Sequence, residues 1–181
     1  MQEQQAVLGQ ITHCLDEAGI PYMLSGSLAM NYYATPRMTR DIDLVLEVMD
    51  SDLPRLGEKL GAEYFFDEET ARSAVRHQTM FNILHMQSLV KIDCIIRKAH
   101  PYRQEEFSHR RQVQFGQTTI WIVSAEDLLL SKLDWLKDSR SEMQFADVRN
   151  LIAAVPTLDW NYLQHWANIL DIRHLLDEVR P

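Results

Sequence analysis

The chain has 181 residues, 46% of them hydrophobic and 24% charged, the composition of an ordinary globular protein able to enclose one core. Its formal net charge of −8 argues against a protein that coats nucleic acid by bulk electrostatics, so no extended DNA-binding surface is expected. No apolar run approaches the roughly 20 residues needed to span a bilayer, so no membrane partner is expected either. The first residues, Met1-Gln2-Glu3-Gln4-Gln5, lack the basic start and apolar stretch of a signal peptide. Cys14 and Cys94 are the only cysteines and have no metal-ligand spacing, which points to small packing residues and a reduced, cytoplasmic setting. The seven histidines are scattered, and no zinc site is expected.

Residues 2–18 place Ala6, Val7, Ile11, Cys14, Leu15 and Ala18 at a helical period, and Gly19 stops that helix. An apolar run over 20–24 follows as a strand. Ser25-Gly26-Ser27 then leads into a short helix over 28–34, closed by Thr35-Pro36 because the residue before proline is driven out of the α region. Tyr32 and Tyr33 read as packing residues of this helix, with a nucleotide base as the alternative partner for one ring. Asp41-Ile42-Asp43-Leu44-Val45-Leu46 reads as a strand, and side chains at i and i+2 share a strand face, so Asp41 and Asp43 project side by side. Two such carboxylates repel unless a proton or metal ion lies between them. Gly26 and Ser27 at a helix start offer backbone N–H groups suited to phosphate. A phosphate cradle followed by a metal-binding carboxylate pair is equipment for phosphoryl or nucleotidyl transfer.

Asp50-Ser51-Asp52 caps a helix over 53–60 that Gly61 stops; 62–66 is a short strand, and polar residues 67–76 read as a short helix or exposed loop. Residues 79–85 and 89–96 form a hairpin about Met86-Gln87-Ser88. Within the second strand Asp93 is costly to bury unless compensated. Its neighbours Ile92 and Cys94 face the other way, so Asp93 is placed to share a pocket with Asp41 and Asp43. A plain salt bridge to Lys91, on the same face, is the alternative. A helix over 102–110 and two strands, 112–115 and 118–123, follow around Gly116. Arg97, Lys98, Arg103, Arg110 and Arg111 form the basic concentration of the chain and read as a solvated charged face.

Ser124, with Asp127 three residues on, opens a helix whose apolar face is Leu128, Leu129, Leu130, Leu133 and Leu136, with Lys132 at its edge. After a polar break at 138–141, a helix over 142–154 carries Asp147. Pro156 ends it, and Asp159 caps a helical region over 160–179, interrupted near 168–171. The element order predicts an α/β (α+β) fold: a mixed sheet flanked by helices in residues 1–123, with a C-terminal helical region, 124–181, packed on it.

Gly26-Ser27 followed by Thr39-Arg40-Asp41-Ile42-Asp43 resembles the signature of the DNA polymerase β-like nucleotidyltransferase superfamily. It is most similar to the small prokaryotic branch that contains the nucleotidyltransferase toxins of type IV toxin–antitoxin systems. The likeness covers most of residues 20–151 and is strongest over 26–46 and near Asp93. It implies Mg²⁺-dependent transfer of NMP from an NTP to an RNA (tRNA included), protein or small-molecule acceptor, with release of pyrophosphate. It further implies two Mg²⁺ ions on Asp41 and Asp43, with Asp93 binding on the acceptor side and taking the acceptor's proton. Gly26 and Ser27 would hold the β- and γ-phosphates. The later pattern Ser124-x-Glu-Asp-Leu…Lys132…Asp147-Val148 resembles the same branch, where a lysine faces the triphosphate with an acidic residue nearby. The basic–acidic pair of that branch is split here, Arg140 and Glu142 being separated by Ser141. A cognate antitoxin is the partner the branch implies. Two other readings carry the same fold: a nucleotide- or partner-binding module without catalysis, and a small-molecule (antibiotic) nucleotidyltransferase.

Overall fold

The alternation of branched apolar and polar residues in Asp41–Leu46 organises the molecule. Ile42, Leu44 and Leu46 are fully buried on one sheet face, while Asp41, Asp43 and Val45 stand on the other. The computed structural model describes residues 2–39, 41–139 and 141–180; Arg40 of the signature and Arg140 of the split pair lie outside the described residues. In chain order the elements are α1 (Gln2–Glu17), β1 (Tyr22–Ser25), α2 (Gly26–Tyr33), β2 (Asp41–Leu46), α3 (Leu53–Leu60), β3 (Tyr64–Phe66), α4 (Glu68–His77), β4 (Met80–His85) and β5 (Lys91–Ile96). They continue as α5 (Pro101–Ser108), β6 (Arg111–Phe115), β7 (Thr118–Ile122), α6 (Ala125–Ser139), α7 (Glu142–Ala154), α8 (Trp160–Ile169) and α9 (Arg173–Val179).

The strands form one mixed seven-stranded sheet in the order β3-β4-β5-β2-β1-β7-β6. β2 runs parallel to β5 and β1 parallel to β7, while β1–β2 and the outer pairs are antiparallel. The parallel register sets Asp41 beside Lys91 and Asp43 beside Asp93, all four on one face. On the other face Ile92, Cys94 and Ile96 of β5 join the β2 residues in the core beneath α1, α3 and α4. Burying two such apolar rows is worth on the order of 2 kcal/mol per side chain, which fixes the register: a slip by one residue would exchange carboxylates for isoleucines. Cys94 lies in this core, while Cys14 is half-buried with its thiol against the Lys59 carbonyl.

Local contacts settle three segments: the helix alternative holds after β3, the break read near 168–171 is present, and only β5 departs from its sequence reading. The polar stretch after β3 is the helix α4, because the Asp67 carboxylate accepts the N–H groups of Glu69 and Thr70 at 3.0 and 3.2 Å and closes its first turn. β5 begins at Lys91 rather than 89, because Leu89 adopts a left-handed conformation (φ 56°) and lengthens the turn. The C-terminal helical region divides into α8 and α9, where Asp171 also turns left-handed (φ 56°). The basic concentration is not a simple solvated face. Arg110 lies between the rings of Phe107 and Trp121, and Arg103 is ion-paired to Glu106 and Asp134. No helix among the described residues is long and apolar enough to cross a membrane.

Candidate active site

The turn from β1 into α2 is shaped around one carboxylate. Gly26 has φ +63°, and a Cβ there would fall 2.0 Å from the Asp43 Oδ2. Glycine therefore lets Asp43 lie against the first turn of α2, where the Ser27 backbone N–H donates to it. Burial, with the negative charge of Asp93 added, pushes the Asp43 carboxyl above its ordinary value despite the Ser27 bond; Asp41 pushes the same way and Lys132 opposes. Asp93 is buried, and its Oδ1 has no hydrogen-bond partner among the described residues. Its other oxygen, Oδ2, takes an ion pair from Lys91 Nζ at 3.0 Å, and the same ammonium is 3.7 Å from Asp41 Oδ1. The structure thus brings Asp41, Asp43 and Asp93 together on one face, with the salt bridge to Lys91 present as well.

These residues fit a divalent cation. A buried carboxylate oxygen without a donor, beside a second carboxyl whose ionisation is opposed by burial and like charge, describes a charge cluster that a cation would complete. Among the described residues no three carboxylate, histidine or cysteine side chains already converge as a ligand set. The cation that two of the three carboxylates hold is the Lys91 ammonium.

Behind the triad lies a second cluster. Lys132 is neither at the water edge of its helix nor snorkelling: it is 8% exposed and its Nζ donates to Asp147 Oδ2 at 2.8 Å. Asp147, 4% exposed, is likewise not a solvated helix charge. It also accepts from Arg37 Nε at 3.1 Å and Nη2 at 3.0 Å, while the same Arg37 Nη2 donates to Ser27 Oγ at 2.8 Å. Gly26 and Ser27 therefore sit where β1, β2 and this cation cluster meet: the Ser27 N–H serves Asp43 and its hydroxyl serves Arg37.

Arg37 went unread in the sequence because it lies in an irregular segment after Pro36. Its backbone is fixed to α2 by a pair of 2.9 Å bonds with the Asn31 side chain, a contact that no periodicity reveals. Tyr33, the inner of the two tyrosines, donates to the Val123 carbonyl at 2.6 Å and lies beneath Arg111, so it is a packing residue; Tyr32 is half-exposed.

The Asp147 cluster carries a pH signature. Burial opposes ionisation of Asp147, but the hydrogen bonds from Arg37 and Lys132 outweigh it and hold the carboxyl below its ordinary value of 3.8. A folded-state value below the unfolded one stabilises the protein above the unfolded value and loses that effect as pH falls through the folded value. Acid unfolding of wild type is therefore expected to include this cluster, whereas Asp147→Asn lacks that contribution. At neutral pH Asp147→Asn is expected to melt earlier, by about 3 kcal/mol of stability, because two cations lose their buried partner. Thermal melts at pH 7 and pH 3 check both, since the gap between the two proteins should narrow in acid.

A groove of about 490 Å³ lies on the same sheet face as the triad, lined there by Val45 and Ile95, the next residues on that face of β2 and β5. Its walls carry Arg97, Lys98, Arg103 and Lys137 against the carboxylates Glu106 and Asp134, so cations outnumber anions. Trp135 of α6 lies on its rim, 65% exposed.

This mixed sheet, with its carboxylates at the start of two adjacent parallel strands and a glycine-opened helix against them, is the fold of nucleotidyltransferases. A nucleotidyltransferase-like antigenic protein from Paracoccidioides brasiliensis is similar over 98% of this chain and 92% of its own, with TM-score 0.58 and 18% identity. ANT(2")-Ia in complex with adenylyl-2"-tobramycin is similar over 95% and 99%, with TM-score 0.62 and 14% identity. The lincosamide antibiotic adenylyltransferase LnuA, lincomycin-bound, is similar over 84% and 97%, with TM-score 0.53 and 13% identity. Among curated proteins no sequence match is found. A family model described as the nucleotidyl transferase AbiEii toxin of type IV toxin–antitoxin systems matches residues 15–153. The chain belongs to this family and is a nucleotidyltransferase.

Proposed function

We propose that the protein transfers NMP from an NTP to an anionic, RNA-type acceptor, tRNA being one such acceptor, and releases pyrophosphate. The observation that supports the acceptor class is the groove on the triad's sheet face: Arg97 pairs with Glu47, and Arg103 and Lys137 take up Glu106 and Asp134, so its carboxylates are already neutralised and Lys98 adds a further positive charge, with Trp135 also on its wall. A cationic aminoglycoside of the kind joined to ANT(2")-Ia would find Glu106 and Asp134 already held by Arg103 and Lys137, which disfavours the antibiotic reading despite the shared fold.

Asp41, Asp43 and Asp93 would hold Mg²⁺, which supplies charge neutralisation at the transferring phosphoryl group. Asp93, on the acceptor side, is also the carboxylate suited to take the acceptor hydroxyl's proton as its oxygen attacks the α-phosphorus. The bond from the α-phosphorus to the bridging oxygen breaks, and the pyrophosphate leaves with that electron pair. Lys132 and Arg37, gathered at Ser27 by Asp147, are placed to offset its charge, with Gly26 and Ser27 lining the phosphate end. Asp147 would then set the orientation of both cations instead of meeting the nucleotide itself. A cognate antitoxin is the protein partner that fits the family.

Arg37→Ala is expected to raise KM for the NTP about tenfold, the loss of one charged hydrogen-bonding group, with a smaller effect on KM for the acceptor. Trp135→Ala is expected to do the reverse, because Trp135 lines the groove and Arg37 does not. Steady-state kinetics with each substrate varied in turn check both. The function itself is tested by incubating the protein with Mg²⁺ and each α-³²P-NTP, then separating total RNA, protein and small molecules. Label in the RNA fraction, absent with the Asp41→Asn/Asp43→Asn double variant, is the expected result. Label confined to protein or small molecules would overturn the acceptor assignment.

A further inference from the structure

The four residues Asp41, Asp43, Lys91 and Asp93 form a two-by-two patch on adjacent parallel strands, with Asp41 beside Lys91 and Asp43 beside Asp93. Lys91 is the one cation of this patch, and its Nζ is 3.0 Å from Asp93 Oδ2 and 3.7 Å from Asp41 Oδ1. It is the first residue of β5, just after the β4–β5 turn. Leu89 is held left-handed (φ 56°), its N–H donating to the His85 carbonyl at 2.9 Å. The His85 N–H in turn donates to the Val90 carbonyl at 3.0 Å, and the His85 ring hydrogen-bonds Ser88 Oγ at 2.7 Å. A leucine in that conformation costs on the order of 1 kcal/mol, and these bonds hold it there. The turn thus fixes where β5 starts, and the shared burial of Ile42, Leu44, Ile92 and Cys94 sets Lys91 beside Asp41. The Lys91 ammonium therefore stands at one side of the patch, against Asp41 and Asp93, and leaves Asp43 without an ion-pair partner among these four residues.

We propose that Lys91 is a resident cation of the active site: its ammonium stands between Asp41 and Asp93 in place of a second, acceptor-side metal ion. The protein then works with a single divalent ion, the one that accompanies the NTP, where the family resemblance implies two. Lys91 acts as a positioning residue. It holds Asp93 Oδ2 and so fixes the orientation of that carboxylate beside Asp43. The inference rests on the metal-dependent reading of the triad given above.

The test is the number of Mn²⁺ ions bound per chain, counted by electron paramagnetic resonance of free Mn²⁺. The full chain is titrated with Mn²⁺ alone and with Mn²⁺ plus the α,β-methylene analogue of each NTP. Wild type is expected to bind one ion with an analogue present. Lys91→Met, a change at a side chain 43% exposed, is expected to bind two, and to bind Mn²⁺ alone at least tenfold more tightly than wild type. After chelation Lys91→Met should melt below wild type and gain more from added Mn²⁺, since it has lost the cation between its carboxylates. Two ions in wild type would overturn the role of Lys91 and leave the nucleotidyl-transfer reading standing. Equal count and affinity in wild type and Lys91→Met would overturn it as well. No bound Mn²⁺ in either protein, with every analogue, would overturn the metal-dependent reading and this inference with it.

Discussion

Asp43→Asn is expected to abolish nucleotidyl transfer, by a factor of at least about 10³, while the protein stays folded. Asp43 is the member of the triad in contact with both halves of the site: it lies beside Asp93 on the sheet and accepts the Ser27 N–H from α2. The amide keeps the shape and one oxygen but loses the charge on which cation binding depends. The sign of the stability change distinguishes this from a folding defect. Burial, Asp93 and Asp41 raise the folded-state value of the Asp43 carboxyl, so its stabilising contribution is present at low pH and lost as pH rises through the raised value. At neutral pH without metal the ionised carboxylate is a burden that asparagine removes. The melting temperature of chelated Asp43→Asn should therefore equal or exceed that of chelated wild type. A variant that melts far below wild type would show that Asp43 is principally structural, and retained transfer would remove it from the chemistry.

Gly26→Ala is expected to lower transfer about 100-fold and to cost about 2 kcal/mol of stability or more. The added methyl would lie 2.0 Å from Asp43 Oδ2, 2.5 Å from its Cγ and 2.8 Å from its Cβ. Rotation of the carboxylate alone cannot relieve a conflict that includes the Cβ, so β2 and the start of α2 must separate. The left-handed backbone, φ +63°, adds its own penalty for an L side chain. Gly61→Ala supplies the control. Gly61 has a similar φ of +57°, but a methyl there would meet nothing within 4 Å, so this variant should lose about 1 kcal/mol of stability and no activity. Measuring kcat and melting temperature for both variants separates backbone strain from displacement of Asp43. Equal losses of activity in the two would refute the role given to Gly26.

These two residues also mark the boundary between what is local and what is assembled. Strand periodicity placed Asp41 and Asp43 on one face, and the apolar flanks Ile92 and Cys94 placed Asp93 on a matching face, because side-chain alternation is a property of the strand alone. Helix stops at Gly19 and Gly61, the Asp159 cap and the helices carrying Lys132 and Asp147 were legible for the same reason, as caps and 3.6-residue periods act within a few residues. Sequence order could not show that β2 and β5, separated by two helices and two strands, run parallel with Asp43 against Asp93. That register comes from the shared burial of Ile42, Leu44, Ile92 and Cys94 in one core. The salt bridge from Lys91 to Asp93, two positions apart on one strand, was legible, whereas the contacts that gather at Asp147 were not. Arg37 meets Asp147 across 110 positions from an irregular segment, and Lys132 meets it across 15, between the packed helices α6 and α7. A sequence declares which groups it carries and which way each faces along its own element. Which charges must neutralise one another is decided only when tertiary packing removes the water that would otherwise separate them.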